Sequence, residues 1–597
     1  MTSKKLNRTQ NLFSVWAPSA ERIDLLLQDG ASNPRRIAMR VDANGWWHAG
    51  EPKPRHGDRY AFSIDGGPAR PDPRSRRQPD GVHGFSEWVS HPALPPSGTE
   101  YRPPSLADGI IYELHVGTFT PGGTFDTAAE QVPYLRELGV THVELMPVAA
   151  ASGERGWGYD GVALFAVWEA YGGPEGLARF VDRCHAEGLA VILDVVYNHL
   201  GPEGNYLAEF GPYFTDSYRT PWGMAVNLDG PDCDEVRRFI LDNALMWLDD
   251  YGIDALRIDA VHALHDESAI HILEELAMAA DELSRRTGRR RLLIAESDLN
   301  DPRLISPRET GGYGLDAQWS DDFHHGLHVA LTGETHGYYV GFRGVADLAK
   351  SLRDVFVHDG AYSPARRRRH GRPAGNSRGY RFLAYSQNHD QVGNRARGER
   401  LEHLAGIERA KVAAAFTLLA PFVPMLFQGE EWAASAPFQY FTDHGDPDLG
   451  RAVREGRRRE FRSFGWKPEE VPDPQDRSTF ERSVLDWDEQ SRGSHADMLA
   501  WYRALIALRR TEPDLSGCDR ETVSVQCDPA KGWLHLRRGS IDITAAFADG
   551  PTEVHLGAAA REWTSLLSSQ SAIDVTSTGV IFPGPGVVVT KRAGIVG

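Results

Sequence analysis

Two kinds of apolar pattern divide this chain. Close to the N-terminus, FSVWAPSA, RIDLLLQ, GWWHAG and RYAFSID alternate apolar and polar positions, with Gly, Asn and Pro between the runs. Such alternation predicts short half-buried strands, here a small β-sandwich over residues 1–95. Residues 67 to 108 are rich in Pro, Gly, Arg and Ser and carry almost no apolar period, so a connecting segment is expected up to about residue 108. From Gly109 the pattern changes to short continuous apolar runs separated by amphipathic stretches such as PEGLARFVDRCHAEG and IERAKVAAAFTLLA. That is the signature of repeated β-α units whose parallel strands are covered on both faces. The runs are GIIYELHV, THVELMPV, LAVILDVVYNH, IDALRIDAVH, RLLIAES, GLDAQWS, RFLAYSQNHD and PMLFQGEE. Eight of them predict an α/β fold, a closed (β/α)8 TIM barrel over 109–512. After HADMLAWYRALIALRRTEP the short strands return in GWLHLRRGS, IDITAAF and GVVVTK, which predicts an antiparallel β-domain over 513–597.

Composition narrows the partners more than the fold. Hydrophobic residues make up 41% and charged residues 25% of 597, as in ordinary globular proteins. Lys and Arg total 65 against 83 Asp and Glu, a formal charge of -18. Such a surface repels phosphate backbones and anionic headgroups, so a neutral substrate is expected and neither nucleic acid nor membrane. No opening stretch is apolar enough for a signal peptide and no later run matches a membrane span, which suggests the cytoplasm. Cys184, Cys233, Cys518 and Cys527 lack CxxC spacing and read as free thiols, with a Cys518–Cys527 pair as the alternative. The basic run ARRRRHGRPAGNSRG before the seventh strand reads as a solvated loop.

An eight-stranded barrel places its chemistry just past the C-terminal strand ends. There DVVYNH supplies Asp194, Asn198 and His199, LRIDAVH supplies Arg257, Asp259 and His262, LLIAES supplies Glu296, and YSQNHDQVGN supplies Asn388, His389 and Asp390. A helix cap or surface ion pair accounts for any one of these, but not for the whole set at successive strand ends. Retaining cleavage of a glycosidic bond needs an acid for the leaving oxygen and a carboxylate to attack the anomeric carbon. Arg257 lies two residues before Asp259, on the same side of the strand, and its charge favours an ionised Asp259 as nucleophile. Glu296 follows an apolar run, so burial and nearby carboxylates favour a proton on it and the role of acid. Asp390, beside His389, is expected to stabilise the cationic transition state and grip sugar hydroxyls.

In this order the four motifs resemble the conserved regions of the α-amylase family of glycoside hydrolases. The resemblance implies the barrel, net retention, Asp259 as nucleophile, Glu296 as acid/base and Asp390 as third carboxylate. It also implies supporting roles for His199, Arg257, His262 and His389. Tyr159, in GWGYDG, matches the aromatic residue on which the reacting sugar stacks, and Asp160 beside it is a further substrate-contact candidate. The opening is similar to the carbohydrate-binding-module-like sandwich of branching, debranching and trehalose-releasing members.

NHLGPEGNYLAEFGPYFTDSYRTPWG and GLDAQWSDDFHHGLHVALTGE are most similar to the trehalose-releasing members, which cut the α-1,4 bond next to the trehalose end of a maltooligosyltrehalose. That implies an α-glucan type of oligosaccharide as substrate, made by a preceding maltooligosyltrehalose synthase. A glucan-branching enzyme is the alternative with the same site, and a non-catalytic glycan-binding barrel is disfavoured because all three carboxylates are present. The compact loop after the third strand departs from the calcium-holding insertion of secreted amylases, so neither metal nor cofactor is expected. Trp222, between Pro and Gly, is the best sugar contact in that loop. Phe323 and His324, with His325, are candidates for the trehalose end, with the start of a helix as the other reading.

Overall fold

The computed structural model describes residues 12–28, 33–90, 101–462, 466–556 and 563–592. The first eleven residues and residues 91–100 of the expected connecting segment lie outside that description.

The eight apolar runs form eight parallel strands: β1 (Ile111–Leu114), β2 (His142–Leu145), β3 (Ala190–Val195), β4 (Ala255–Ile258), β5 (Leu292–Ala295), β6 (Ala317–Trp319), β7 (Phe382–Ala384) and β8 (Val423–Phe427). Each pairs with the next and β8 closes on β1, giving a barrel. Side chains alternate along a strand, so one set fills the interior and the other meets the helices. Ile111, Ile192, Ala255, Ile294 and Val423 belong to one apolar cluster inside the barrel. Two residues further along, the same faces carry Glu113, Glu144, Asp194 and Arg257, all buried. Pairing sets Glu113 beside Glu144 and Asp194 beside Arg257. The interior therefore turns from apolar to charged along its axis, toward the strand ends that bear the candidate site.

Helices cover the outside. Gly173–Ala186 shows the usual single apolar stripe, burying Leu177, Phe180, Val181 and Cys184. Ile407–Leu419 is buried almost all round because it lies between the barrel, the helix Gly493–Thr511 and the strand Gly586–Arg592. Its alanines let those layers approach closely.

The N-terminal part has two small sheets and the C-terminal part a five-stranded and a three-stranded antiparallel sheet. The segment read as a connector is more than that. Ala69–Arg70 and Ser86–Glu87 both pair with the strand Arg59–Ile64. Between them, Arg74 reaches Asp242 at 2.8 Å, Arg76 reaches Asp250 at 2.7 Å and Arg77 reaches Glu169 at 2.8 Å, so the segment straps the N-terminal sheets to the barrel. It lacks apolar periodicity because backbone pairing and ion pairs hold it. All four cysteines are free thiols. Among the described residues, no helix is long and apolar enough to cross a membrane.

Candidate active site

Arg257, fully buried on β4, organises the centre. Its Nη1 donates to Asp194 Oδ2 at 2.7 Å and to Asp259 Oδ1 at 2.8 Å, and its Nη2 lies 3.8 Å from Glu296 Oε2. Its guanidinium carbon sits 4.2 Å from the centre of the Trp319 ring, which leaves the planar fork little freedom. Asn198 Nδ2 donates to Asp259 Oδ2 at 2.8 Å. Both oxygens of Asp259 are thus held by donors.

Glu296, just beyond β5, accepts a 2.6 Å hydrogen bond from the backbone N–H of Ala260. Ala260 has φ of +38°, in the left-handed region that residues with a Cβ avoid, and this strained turn follows Asp259 directly. The hydrogen bond to Ala260 thus ties the Glu296 carboxyl to the residue that follows Asp259. Burial pushes the Glu296 carboxyl well above its usual range; Arg257 opposes the shift, while Asp259, Asp321 and Asp390 reinforce it.

Asp390 lies past β7 in the first turn of the helix His389–Gly393, capped by the Asn388 side chain, and its side chain is 43% exposed. His389 Nδ1 is 2.5 Å from Glu113 Oε1, and its Nε2 is 2.8 Å from the Tyr159 hydroxyl, which donates to Asp194 at 2.5 Å. Burial opposes a charge on His389, but Glu113 and Asp390 outweigh it and raise the imidazolium to about 9. Tyr159 stacks against this ring, 5.2 Å between centres. On the other side, His199 bonds Asn198 at 2.5 Å and stacks face to face on Trp222 at 4.3 Å and 4°. Burial lowers the His199 pKa, which favours the neutral ring. Trp222 is 50% exposed at the tip of the hairpin formed by Phe214–Thr220 and Gly223–Val226. His262 is exposed, one turn beyond Asp259.

A cavity of about 580 Å³ opens beside Glu296 and Asp390, walled by Asp298, Asp321, His325, Tyr339, Arg366 and Trp466 among others. Among the described residues no cluster of His, Cys, Asp or Glu is arranged to hold a metal ion.

Residues 81–222 match the catalytic domain of alpha amylases and residues 2–74 match carbohydrate-binding module 48, the isoamylase N-terminal domain. A malto-oligosyltrehalose trehalohydrolase from Rhizobium sp. (strain M-11) is 49% identical over 576 residues, covering 96% of each chain. The chain belongs to the malto-oligosyltrehalose trehalohydrolases of the alpha-amylase family. The crystal structure of a candidate alpha amylase from Salmonella typhimurium superposes with a TM-score of 0.86 at 37% identity, covering 97% of both chains. By contrast, a 1,4-alpha-glucan branching enzyme from Cereibacter sphaeroides is 33% identical over 55% of this chain and 48% of its own. Within the trehalohydrolase family the substrate is an oligosaccharide, in keeping with the acidic surface.

Not every residue singled out from the sequence reaches the mouth. Phe323 is wholly buried and packs edge-on against Phe422, and His324 is buried with Nδ1 on the Ser386 carbonyl. Both belong to the helix Asp321–Thr332, whose inner face they fill, and of the triplet only His325 lines the cavity. Asp160 lines a separate small pocket with Arg155, Glu203 and His444. The basic run also needs correction. Arg367, Arg368 and Arg369 are exposed as expected, but Arg366 lines the cavity and pairs with Asp298 at 3.0 Å.

Sequence reading missed several groups. Glu113 and Glu144 sit inside strands that look apolar, and the signal was one Glu at the same register of two neighbouring runs. Among the described residues neither oxygen of Glu144 has a partner, and burial next to Glu113 pushes its carboxyl well above the usual range. Asp321 and Arg366 are supplied by a helix start and a hairpin, where nothing in a linear pattern separates a cavity wall from solvent.

Proposed function

We propose that this chain hydrolyses the α-1,4-glucosidic bond next to the trehalose end of a maltooligosyltrehalose, with net retention, releasing trehalose and a maltooligosaccharide. The observation that carries the chemistry is the sharing of Arg257 between Asp194 and Asp259 while Glu296, anchored on Ala260, has its carboxyl pushed up by burial. Asp259 attacks the anomeric carbon as Glu296 gives its proton to the leaving oxygen, so trehalose departs and a glycosyl ester on Asp259 remains. Glu296, now a carboxylate, takes a proton from water. The resulting hydroxide breaks the ester and restores both groups.

Asp390 and the charged His389 act on the sugar hydroxyls and on the cationic transition state, where fixed charges in a water-poor site are most effective. Tyr159 offers its face to the reacting ring, and Trp222 on His199 meets the glucan side. The cavity beside Glu296 and Asp390 receives the trehalose end. This reading includes a maltooligosyltrehalose synthase as the supplier of substrate and a cytoplasmic setting. It also divides the chain into a sandwich over 1–95, a barrel over 109–512 and a β-domain over 513–597. Full-length likeness to trehalohydrolases, against partial likeness to a branching enzyme, supports trehalose over branched glucan as product.

The test is incubation with maltooligosyltrehalose and, separately, with amylose. Free trehalose with an α-configured maltooligosaccharide end, followed by NMR, is the expected result. New α-1,6 branches from amylose with no free trehalose would overturn the reading.

A further inference from the structure

Four successive strands, β4 to β7, are each followed at the mouth by a carboxylate: Asp259, Glu296, Asp321 and Asp390. The proposed mechanism uses three and leaves Asp321 without a role. Capping does not explain it, since Asp321 is the first residue of its helix and makes no bond to a helix N–H. Its Oδ1 instead accepts a 2.5 Å hydrogen bond from the Tyr385 hydroxyl, and Tyr385 is wedged against Trp319 with ring centres 5.3 Å apart. No second hydrogen bond to the carboxyl exists among the described residues, and the side chain lines the cavity beside Glu296. Enclosure, opposed by the Tyr385 hydrogen bond, raises the carboxyl to about 7.

The same wall holds an unmatched donor. Trp319 also lines the cavity and is only 2% exposed, yet its indole Nε1–H has no partner among the described residues. A buried donor left unpaired is costly unless something else satisfies it. Trp319 cannot simply turn away, because its ring is pinned over Arg257 on one side and against Tyr385 on the other. An unpaired indole N–H buried beside the cavity and a carboxyl two residues on, lining the same cavity, are the two halves that a sugar hydroxyl can join, accepting from one and donating to the other.

We propose that Asp321 and the indole N–H of Trp319 form a hydroxyl-binding pair for the departing disaccharide, with Tyr385 as a positioning residue that holds the carboxyl. The proposal rests on the reading that this cavity receives the trehalose end. It makes the wall a contributor to product affinity and to the choice of leaving group, separate from the three carboxylates of bond cleavage.

The experiment measures trehalose binding by calorimetry, together with kcat and KM on maltotriosyltrehalose, for wild type, Asp321→Asn and Trp319→Phe. Asn keeps an oxygen for Tyr385 but puts an amide where the second carboxyl oxygen was, and Phe keeps a ring over Arg257 without the N–H. Loss of a hydrogen bond to a carboxylate or a buried donor predicts trehalose binding weakened about tenfold in each variant, with KM raised in parallel and kcat changed less. Trehalose binding within about twofold of wild type in Asp321→Asn, or a loss confined to kcat, would overturn the pair. Should Asp321→Asn not fold, Trp319→Phe decides by the same criterion. A wild-type protein that releases no trehalose refutes the functional reading itself, which is a different outcome from normal release with unaltered variants.

Discussion

At the scale of single residues, the proposed division of labour between two carboxyls rests on what touches them. Asp259 has a guanidinium on one oxygen and an amide on the other, whereas Glu296 has a backbone N–H and an otherwise enclosed site. Asp259→Ala and Glu296→Gln should each lower kcat by several orders of magnitude while substrate binding survives, because both act mainly in the transition state. Steady-state kinetics with a binding measurement on the inactive variants checks this, and near-normal turnover in either would refute the roles. His389 gives a pH prediction. Its pKa is raised from 6.5 to about 9 in the folded protein, so the stability it contributes is fully present below about pH 6.5 and is lost as pH rises through 9. Thermal melts of wild type and His389→Gln should therefore differ most near pH 6 and converge above pH 9. The residues at strand ends were legible in sequence because Arg, Asp, Glu and His have no reason to follow four buried apolar runs. Glu113 and Glu144 were not, since a strand's inward and outward positions look alike until the barrel closes.

At the scale of elements, the hairpin Phe214–Val226 presents Trp222 to solvent and rests it on His199. Trp222→Ala should raise KM for long substrates about tenfold and leave the melting temperature unchanged, because an exposed aromatic face contributes to sugar binding and little to the core. An unchanged KM across chain lengths would show that the hairpin does not meet the glucan. The eight barrel strands were readable as elements because each is short, continuous and apolar, bounded by amphipathic helices. The helix Asp321–Thr332 was harder, since SDDFHH contains residues of one type at adjacent positions and rotation about the helix decides which of them sees the cavity. His325 does and His324 does not, a difference of one residue in sequence and about 100° around the axis.

At the scale of the molecule, the strap of residues 69–87 links the N-terminal sheets to barrel helices through Arg74, Arg76 and Arg77. These pairs are only partly exposed, and each is worth about 1 kcal/mol at most in such a setting. The triple change Arg74→Ala, Arg76→Ala and Arg77→Ala should lower the midpoint of thermal inactivation while kcat at moderate temperature stays within about twofold, since an effect on the barrier below about 0.4 kcal/mol is expected that far from the chemistry. A fall in kcat without loss of stability would mean that the strap shapes the site itself. Sequence alone determined the barrel, the order of its motifs and the presence of three carboxylates past its strand ends, because strand burial is a local pattern repeated eight times and the polar residues that follow four of those runs break it locally. Tertiary structure decided the rest. Which side of a helix lines the cavity, which arginine of a basic run turns inward, which glutamates meet inside the barrel and what a Pro- and Arg-rich connector grips all depend on contacts between residues far apart in the chain. No local period encodes such contacts.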